Sequence, residues 1–244
     1  MERILYLDDA QIVGAGGYGL VIHTPGQKEA YKLLYDVSAC KDLKQEARLQ
    51  QRAHTILRTA HSAVCVPAIT YFSNTVLRWG DADYLCGIGM EYLPPPLDLD
   101  EAVHMVLGYT GDDLDTSWGR QQSRPVSLTN PSRGFFASPE TLAWIWAAEG
   151  SAMTIETAAY EMGRALRLLL DGGLLPIDVE WIWSNGRMWM VDFGLCEFAT
   201  GVVDARAFLN AHGLRGLASD FYIPHTSHRG YEEFLQGYAF ARAV

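Results

Sequence analysis

Basic side chains are scarce in this 244-residue chain: 19 lysines and arginines stand against 29 aspartates and glutamates, a net charge of −10. Nucleic-acid affinity rests on neutralising phosphates, so DNA and RNA are excluded as main partners, and the acid excess reads as a solvated surface. Cysteine is scarce as well. Cys40, Cys65, Cys86 and Cys196 are scattered with no C-x-x-C pair, and the histidines do not cluster. No zinc site or disulfide framework is legible in that pattern, and buried free thiols are expected. Long apolar runs are missing: none approaches the ~18 residues that a membrane span needs. The stretch MERILYLDDA is charged from its second residue, unlike a secretory leader. Repeats and low-complexity tracts are missing too. These absences leave the expectation of a soluble, cytoplasmic protein with neither a membrane nor a nucleic-acid partner. Its 49% hydrophobic and 20% charged residues are enough to bury a core.

What is present falls into two unlike parts. The first ninety residues read as short strands with one helix. QIVGAGGYGLVIHT is a hairpin with a glycine-rich turn, and EAYKLLYD follows the Pro25-Gly26 turn as a strand. Ser38 caps a helix through CKDLKQEARLQQRAHTIL, in which Leu43, Ala47, Leu49, Ala53 and Ile56 approximate a 3.6 period. CVPAITYF and YLCGIGMEYL are two further strands. Prolines 94–96 break the chain and mark a boundary between a unit at 1–93 and one at 94–244. A short helix is expected near 98–107, then a long loop over 108–137. That loop holds Arg120, Arg124 and Arg133 after the acidic Asp112-Asp113-Leu114-Asp115, and it reads first as a solvated insert and second as a substrate or partner contact. Ser138-Pro139 starts a helix, and Ser151 or Thr154 starts another that ends near Gly172-Gly173. Ser184-Asn185-Gly186 then joins two strands in a hairpin, and a last helix spans about 229–242.

Gly14, Gly16, Gly17 and Gly19, with Val21, satisfy G-x-G-x-x-G-x-V. Bare glycines let backbone N–H groups approach phosphate oxygens that side chains would shield. A dinucleotide fold would carry these glycines between a strand and a helix. Here a strand pattern follows, so a hairpin lid is the better reading, although a glycine hairpin alone requires no ligand. Ala30-Tyr31-Lys32 comes one strand later, Glu46 lies on the predicted helix, and Gly87-Ile88-Gly89-Met90-Glu91-Tyr92-Leu93 runs from a strand into the proline break. Asp178 and Asp192-Phe193-Gly194 close the series.

In order and in structural setting, these six elements resemble the protein-kinase-like fold over residues 12 to about 200. The D-V-E-W stretch at Asp178, its short interval to D-F-G and the late D-F-Y-I-P-H segment resemble an uncharacterised fungal kinase-like family with a D-V-E-F signature and a variable D-F-x turn. The resemblance implies an α+β, bilobal architecture: an antiparallel small lobe with one helix, and a reduced, mainly helical large lobe. It implies ATP with Mg2+ or Mn2+ as cofactors. Lys32 would hold the α- and β-phosphates, Glu46 would pair with Lys32, and Asp178 would orient the acceptor hydroxyl. Val21 and Ala30 would lie above the purine, the backbone of Glu91 and Leu93 would face it, and Met90 would be the gatekeeper. Asp192 would bind metal.

Departures from the pattern accompany it. Trp183 stands five residues after Asp178, where a second metal ligand is expected, and indole cannot coordinate a hard cation. Glu180 would then supply the oxygen, or would replace a lysine found there in some kinases. Trp181, Trp183 and Trp189 read as packing residues rather than ligand stackers. Pro176 and Ile177 replace the His-Arg of H-R-D, so no phosphorylation-dependent ordering of this segment is expected. The 50 residues after Gly194 suit only a minimal kinase. Arg206, Arg215, His225 and His228 read as surface residues before substrate contacts. The expected function is transfer of the γ-phosphate of ATP to a hydroxyl of a protein or small molecule, both acceptors staying open. The alternative is a pseudokinase that binds nucleotide or partners without catalysis.

Overall fold

The computed structural model describes residues 4–15, 19–35, 40–73, 76–94, 126–127, 135–136, 139–177, 179–209, 211 and 229–240. Several expectations fall outside them: Gly16, Gly17, Asp178, the Ser38 cap, the helix at 98–107, the arginines of the 108–137 loop, Arg215, His225 and His228. The described residues form a mixed α+β structure of several small sheets and a few helices.

The chain opens with β1 (Ile4–Tyr6), followed by three antiparallel strands, β2 (Gln11–Ala15), β3 (Gly19–His23) and β4 (Glu29–Leu34). Gly26 makes the turn between the last two at φ +81, a conformation that costs glycine nothing. Next comes α1 (Cys40–Thr59), which buries Leu43, Ala47, Leu49, Ala53 and Leu57 on one stripe. Asp42 in its first turn and Arg58 in its last suit the helix dipole.

Pro67 splits the strand expected over CVPAITYF. Proline cannot donate to a ladder, and the two pieces, β5 (Val64–Cys65) and β6 (Ile69–Ser73), join different sheets. YLCGIGMEYL divides in the same way. Its start completes β8 (Ala82–Tyr84), which pairs with the unanticipated β7 (Val76–Trp79), and its middle is β9 (Gly87–Glu91). One five-stranded sheet has the order β2-β3-β4-β9-β6, and a three-stranded sheet has the order β1-β7-β8.

Period-two alternation gives the five-stranded sheet two distinct faces. Leu20, Ile22 and Leu33 share one face and form a core with Leu77 of the smaller sheet and Leu7, just after β1. Val21, Ala30, Lys32 and Met90 share the opposite face, since the register pairs Val21 with Lys32 and Ala30 with Met90. Part of that inner face is covered by α1, where Leu43 and Ala47 meet Cys86 and Ile88.

Cys40 and Cys86 are joined there as a disulfide, which overturns the expectation of free thiols for this pair; Cys65 and Cys196 are free. A separation of 46 residues carries no pairing signal in the sequence. Proximity arises only when α1 lies on β9.

The second half contains β10 (Val126–Ser127), β11 (Phe135–Phe136), α2 (Pro139–Ala148), α3 (Ile155–Asp171), β12 (Leu174–Leu175), β13 (Glu180–Ser184), β14 (Arg187–Val191), β15 (Glu197–Phe198), α4 (Ala205–Phe208) and α5 (Arg229–Phe240). Thr154 caps α3, its side-chain oxygen accepting from the Thr157 N–H. Asn185 and Gly186 both have positive φ, 51° and 69°, as a type I′ hairpin turn requires. Within 108–137 the described residues are two short strands. β10 pairs with β13, and with β11, β14 and β5 they make a sheet of order β11-β10-β13-β14-β5. Trp181, Trp183, Met188 and Met190 sit in the large core with α3 and α5, so these two tryptophans are packing residues as expected. Two glycines set the distance between α3 and α5. A Cβ on Gly163 would lie 2.0 Å from the Phe234 carbonyl oxygen, and one on Gly237 would lie 1.9 Å from that of Tyr160.

Candidate functional site

Three charged side chains from three separate elements converge beneath the inner face of the five-stranded sheet. Lys32 of β4 donates to Glu46 Oε1 of α1 at 2.5 Å and to Asp192 Oδ1, directly after β14, at 3.1 Å. Lys32 and Asp192 are 160 positions apart. The group is largely enclosed, with side-chain exposures of 18% for Lys32, 7% for Glu46 and 30% for Asp192. Burial alone would push the Lys32 ammonium down, but Glu46 and Asp192 more than offset it and hold it above the ordinary lysine value. Burial pushes the Glu46 carboxyl up, with Lys32 pulling against it and Asp192 adding to the rise.

Local structure explains how each arrives. Alternation along β4 puts Ala30 and Lys32 inward and Tyr31 outward. Glu46 lies one turn after Leu43 on the buried stripe of α1. Asp192 occupies the left-handed region at φ 61, sparsely populated by residues other than glycine but tolerated by aspartate. Phe193, fully buried in the large core, fixes the turn from the other side. A Cβ on Gly194 would lie 3.6 Å from both Asp192 Oδ1 and Glu46 Oε2, so the backbone of this turn passes directly against both carboxylates.

The strands of the glycine hairpin, β2 and β3, belong to the same sheet. A Cβ on Gly19 would fall 2.2 Å from the Leu33 carbonyl oxygen, and one on Gly14 would touch Val21. The close cross-strand approach at Gly19 therefore admits glycine alone. Beside the triad, Ala30 is buried, while Val21 and Met90 are half-buried. After Met90 the chain is tied down on both sides: the Glu91 N–H donates to Ala68 O and the Tyr92 N–H to Lys28 O, each at 3.0 Å. The His23 ring stacks on Tyr92 at 3.5 Å, 3° from parallel. Leu93 is buried against Ile182 and Trp189, with Cys65 and Val191 around them. Ser184 Oγ donates to Pro94 O at 2.5 Å. The segment leaving the first sheet is thus fastened to the second.

Leu93 was expected at the site, but the apolar residues packed on it, Ile182, Trp189 and Val191, were not. Their signal was available, because the Asn185-Gly186 turn sets the register and period two then separates the faces. Trp181 and Trp183 belong to the core face, while Glu180, Ile182, Trp189 and Val191 share the other.

The same register corrects the reading of Trp183. Trp183 pairs with Met188, four residues before Asp192 and roughly 13 Å from it along a strand. Its indole is fully buried, donates to Glu149 Oε2 and meets the Trp146 ring at 5.5 Å. The residue paired with Val191, next to Asp192, is Glu180, which is half-buried. Counting five from Asp178 pointed to a strand interior because a strand, not a loop, occupies that interval. Among the described residues no three His, Cys, Asp or Glu side chains gather as a metal group, and no helix is long and apolar enough to cross a membrane.

No family model and no curated protein matches the chain. Among solved structures, one described as the GDP and kanamycin complex of APH(2")-IIia aligns over 95% of this chain and 77% of that chain, at 12% identity and a TM-score of 0.37.

Proposed function

We propose that the chain is an ATP-dependent phosphotransferase of protein-kinase-like fold, assisted by Mg2+ or Mn2+, which moves the γ-phosphate to a hydroxyl of a protein or small molecule. The observation that carries this reading is the enclosed Lys32–Glu46–Asp192 cluster on the inner face of the sheet that also contains the β2–β3 hairpin. We read residues 1–93 as the smaller lobe and 94–244 as a reduced larger one, the nucleotide lying between them.

Phosphoryl transfer asks a protein mainly to position groups and neutralise charge. Lys32 would bind the α- and β-phosphates, and Glu46 keeps its ammonium extended toward them. Gly14, Gly16, Gly17 and Gly19 would let the lid backbone close on the phosphate oxygens. Val21 and Ala30 above, and Ile182 and Val191 below, suit a flat purine, whose polar edge would meet the backbone of Glu91 and Leu93. Asp178 would orient the acceptor hydroxyl. The residues present also fit a divalent cation, because Asp192 offers hard carboxylate oxygen and the cluster holds more carboxylates than ammoniums. Asp192 would hold the ion, with Glu180 as the neighbouring oxygen donor. When bound, such an ion supplies charge neutralisation at the phosphates.

Incubation with γ-labelled ATP and Mg2+ or Mn2+, with and without cell lysate, tests the proposal against Asp192→Asn. Label transfer by the wild type and its loss in the variant is the expected result. Equal labelling by both would sink it. An ATP-induced thermal shift that Lys32→Ala abolishes, without any label transfer, would instead identify a nucleotide-binding pseudokinase.

A further inference from the structure

Two links between α1 and the five-stranded sheet lie close together. One is the Cys40–Cys86 bond, whose Cα atoms are 5.8 Å apart, and the other is the Lys32–Glu46 ion pair. Cys40 opens α1, and Glu46 follows it by six residues, about 9 Å along the helix axis. On the sheet side, Cys86 directly precedes β9, in which Ile88 is the register partner of Lys32. The bond therefore stands two residues, roughly 7 Å, from the level of Lys32. A covalent tie at this spacing keeps the start of α1 on the sheet, and with it the carboxylate that Lys32 meets.

The helix divides between two clusters. Leu49, Ala53 and Leu57, in its later turns, are part of the large core with α3. Leu43 and Ala47, in its earlier turns, belong to a small cluster with Cys86 and Ile88. Loss of the bond therefore acts on the near end of the helix, where the packing is least. Lys32 also has a second partner. When Glu46 leaves, Asp192 Oδ1 at 3.1 Å still compensates the ammonium, and the Glu46 carboxylate, 7% exposed where it stands, gains water. Both arrangements keep their charges satisfied, as a two-state element requires.

Resting on the nucleotide reading above, we propose that Cys40–Cys86 is a redox site whose co-reactant is a dithiol. The bonded form holds Glu46 on Lys32 and binds nucleotide tightly; the reduced form releases the first turns of α1 and binds it weakly. Cys40 is partly exposed and Cys86 is buried, so the entering thiolate attacks Cys40 Sγ. The S–S bond breaks, and Cys86 leaves as a thiolate and takes up a proton. The second sulfur of the dithiol then displaces Cys40 from the mixed disulfide, and Cys40 is protonated in turn. Two electrons and two protons pass from the dithiol, which ends as a disulfide, to the cysteine pair. Reaction with the oxidised co-reactant reverses each step.

The test measures dissociation constants of ATP with Mg2+, at a temperature where both forms are folded. The samples are the oxidised wild type, the wild type reduced with dithiothreitol, Cys40→Ser and Glu46→Gln. Reduction and Cys40→Ser should each weaken binding by roughly tenfold, within the usual range of coupling between sites. Dithiothreitol should change nothing further in Cys40→Ser, and little in Glu46→Gln, where the pair is already lost. Amide hydrogen exchange gives a readout without ligand: reduction should speed exchange over residues 43–47 and leave 53–57 as they are. In a wild type that binds ATP, equal affinity of the oxidised and reduced forms overturns this inference alone, and so does equal exchange over 43–47. Loss of protection throughout α1 and α3 on reduction overturns it as well, and makes the bond a staple of the whole fold. Failure of the oxidised wild type to bind ATP overturns the nucleotide reading and the affinity claim, while faster exchange over 43–47 on reduction still supports the release of α1.

Discussion

Lys32 shows what a single residue contributes here. Its ammonium is shared by two enclosed carboxylates, so Lys32→Met removes the cation that the nearly buried Glu46 faces. Breaking a buried pair from one side costs about 3–5 kcal/mol, and loss of that size is the expected outcome in denaturant unfolding at neutral pH. Its pH dependence follows from the upward shift of Lys32. A group whose folded value lies above its unfolded one contributes fully below the unfolded value, 10.5, and loses that contribution as pH rises through the folded value. The stability gap between wild type and Lys32→Met should therefore stay level from neutral pH to the ordinary lysine range and shrink above it. A gap that closes between pH 7 and 9 would refute the pairing. Lys32, Glu46 and Asp192 were picked out through the order of motifs that resembles a kinase, and the packing role of Trp181 and Trp183 through the usual burial of aromatic side chains. Trp183 was placed too near Asp192 because the number of intervening residues does not reveal whether they coil or extend.

Elements were legible to the degree that their signals are local. The Asn185-Gly186 turn, the Thr154 cap and the period of α1 depend on neighbours within about four residues, and they lie where expected. The split strands at Pro67 and Tyr84 were not separated, because both runs are apolar and strand length is decided by which partner is available. β10 and β11 were hidden for a similar reason: two-residue strands have no period to read, and they exist by pairing with β13 and with each other. The contact of α3 with α5 rests on backbone approach at Gly163 and Gly237. Gly163→Ala places a methyl group inside the van der Waals radius of the Phe234 carbonyl, and the helices must part. Overpacking of this kind costs about 1–3 kcal/mol, in spite of the better helix propensity of alanine. A thermal melt of Gly163→Ala should show that loss, and a melt at or above the wild-type temperature would contradict the close approach.

At the scale of the whole molecule, the Cys40–Cys86 bond closes 46 residues of chain between α1 and β9. Cross-linking restricts the unfolded ensemble, by about 4 kcal/mol for a loop of this length in the chain-entropy account. Reduction, or Cys40→Ser with Cys86→Ser, should lower the unfolding temperature by roughly 10 °C for a domain of this size. An identical melt with and without reductant would remove the bond from the account. Such bonds persist in oxidising surroundings and are rare in the cytosol, a point on which the expectation of a cytoplasmic protein was silent. Taken alone, the sequence determined the Asn185-Gly186 turn, the amphipathic α1 and the β2 and β3 strands around the glycine turn, because each is written in residues that are neighbours along the chain. Only the tertiary structure decided that Lys32 meets Asp192 across 160 positions, that Cys40 meets Cys86, that Gln50 touches Met90, and that Trp183 faces the core while Glu180 lies on the opposite face of its hairpin. The reason is physical: a side chain's partner across a fold is selected by packing and register, which residues far apart in sequence decide together.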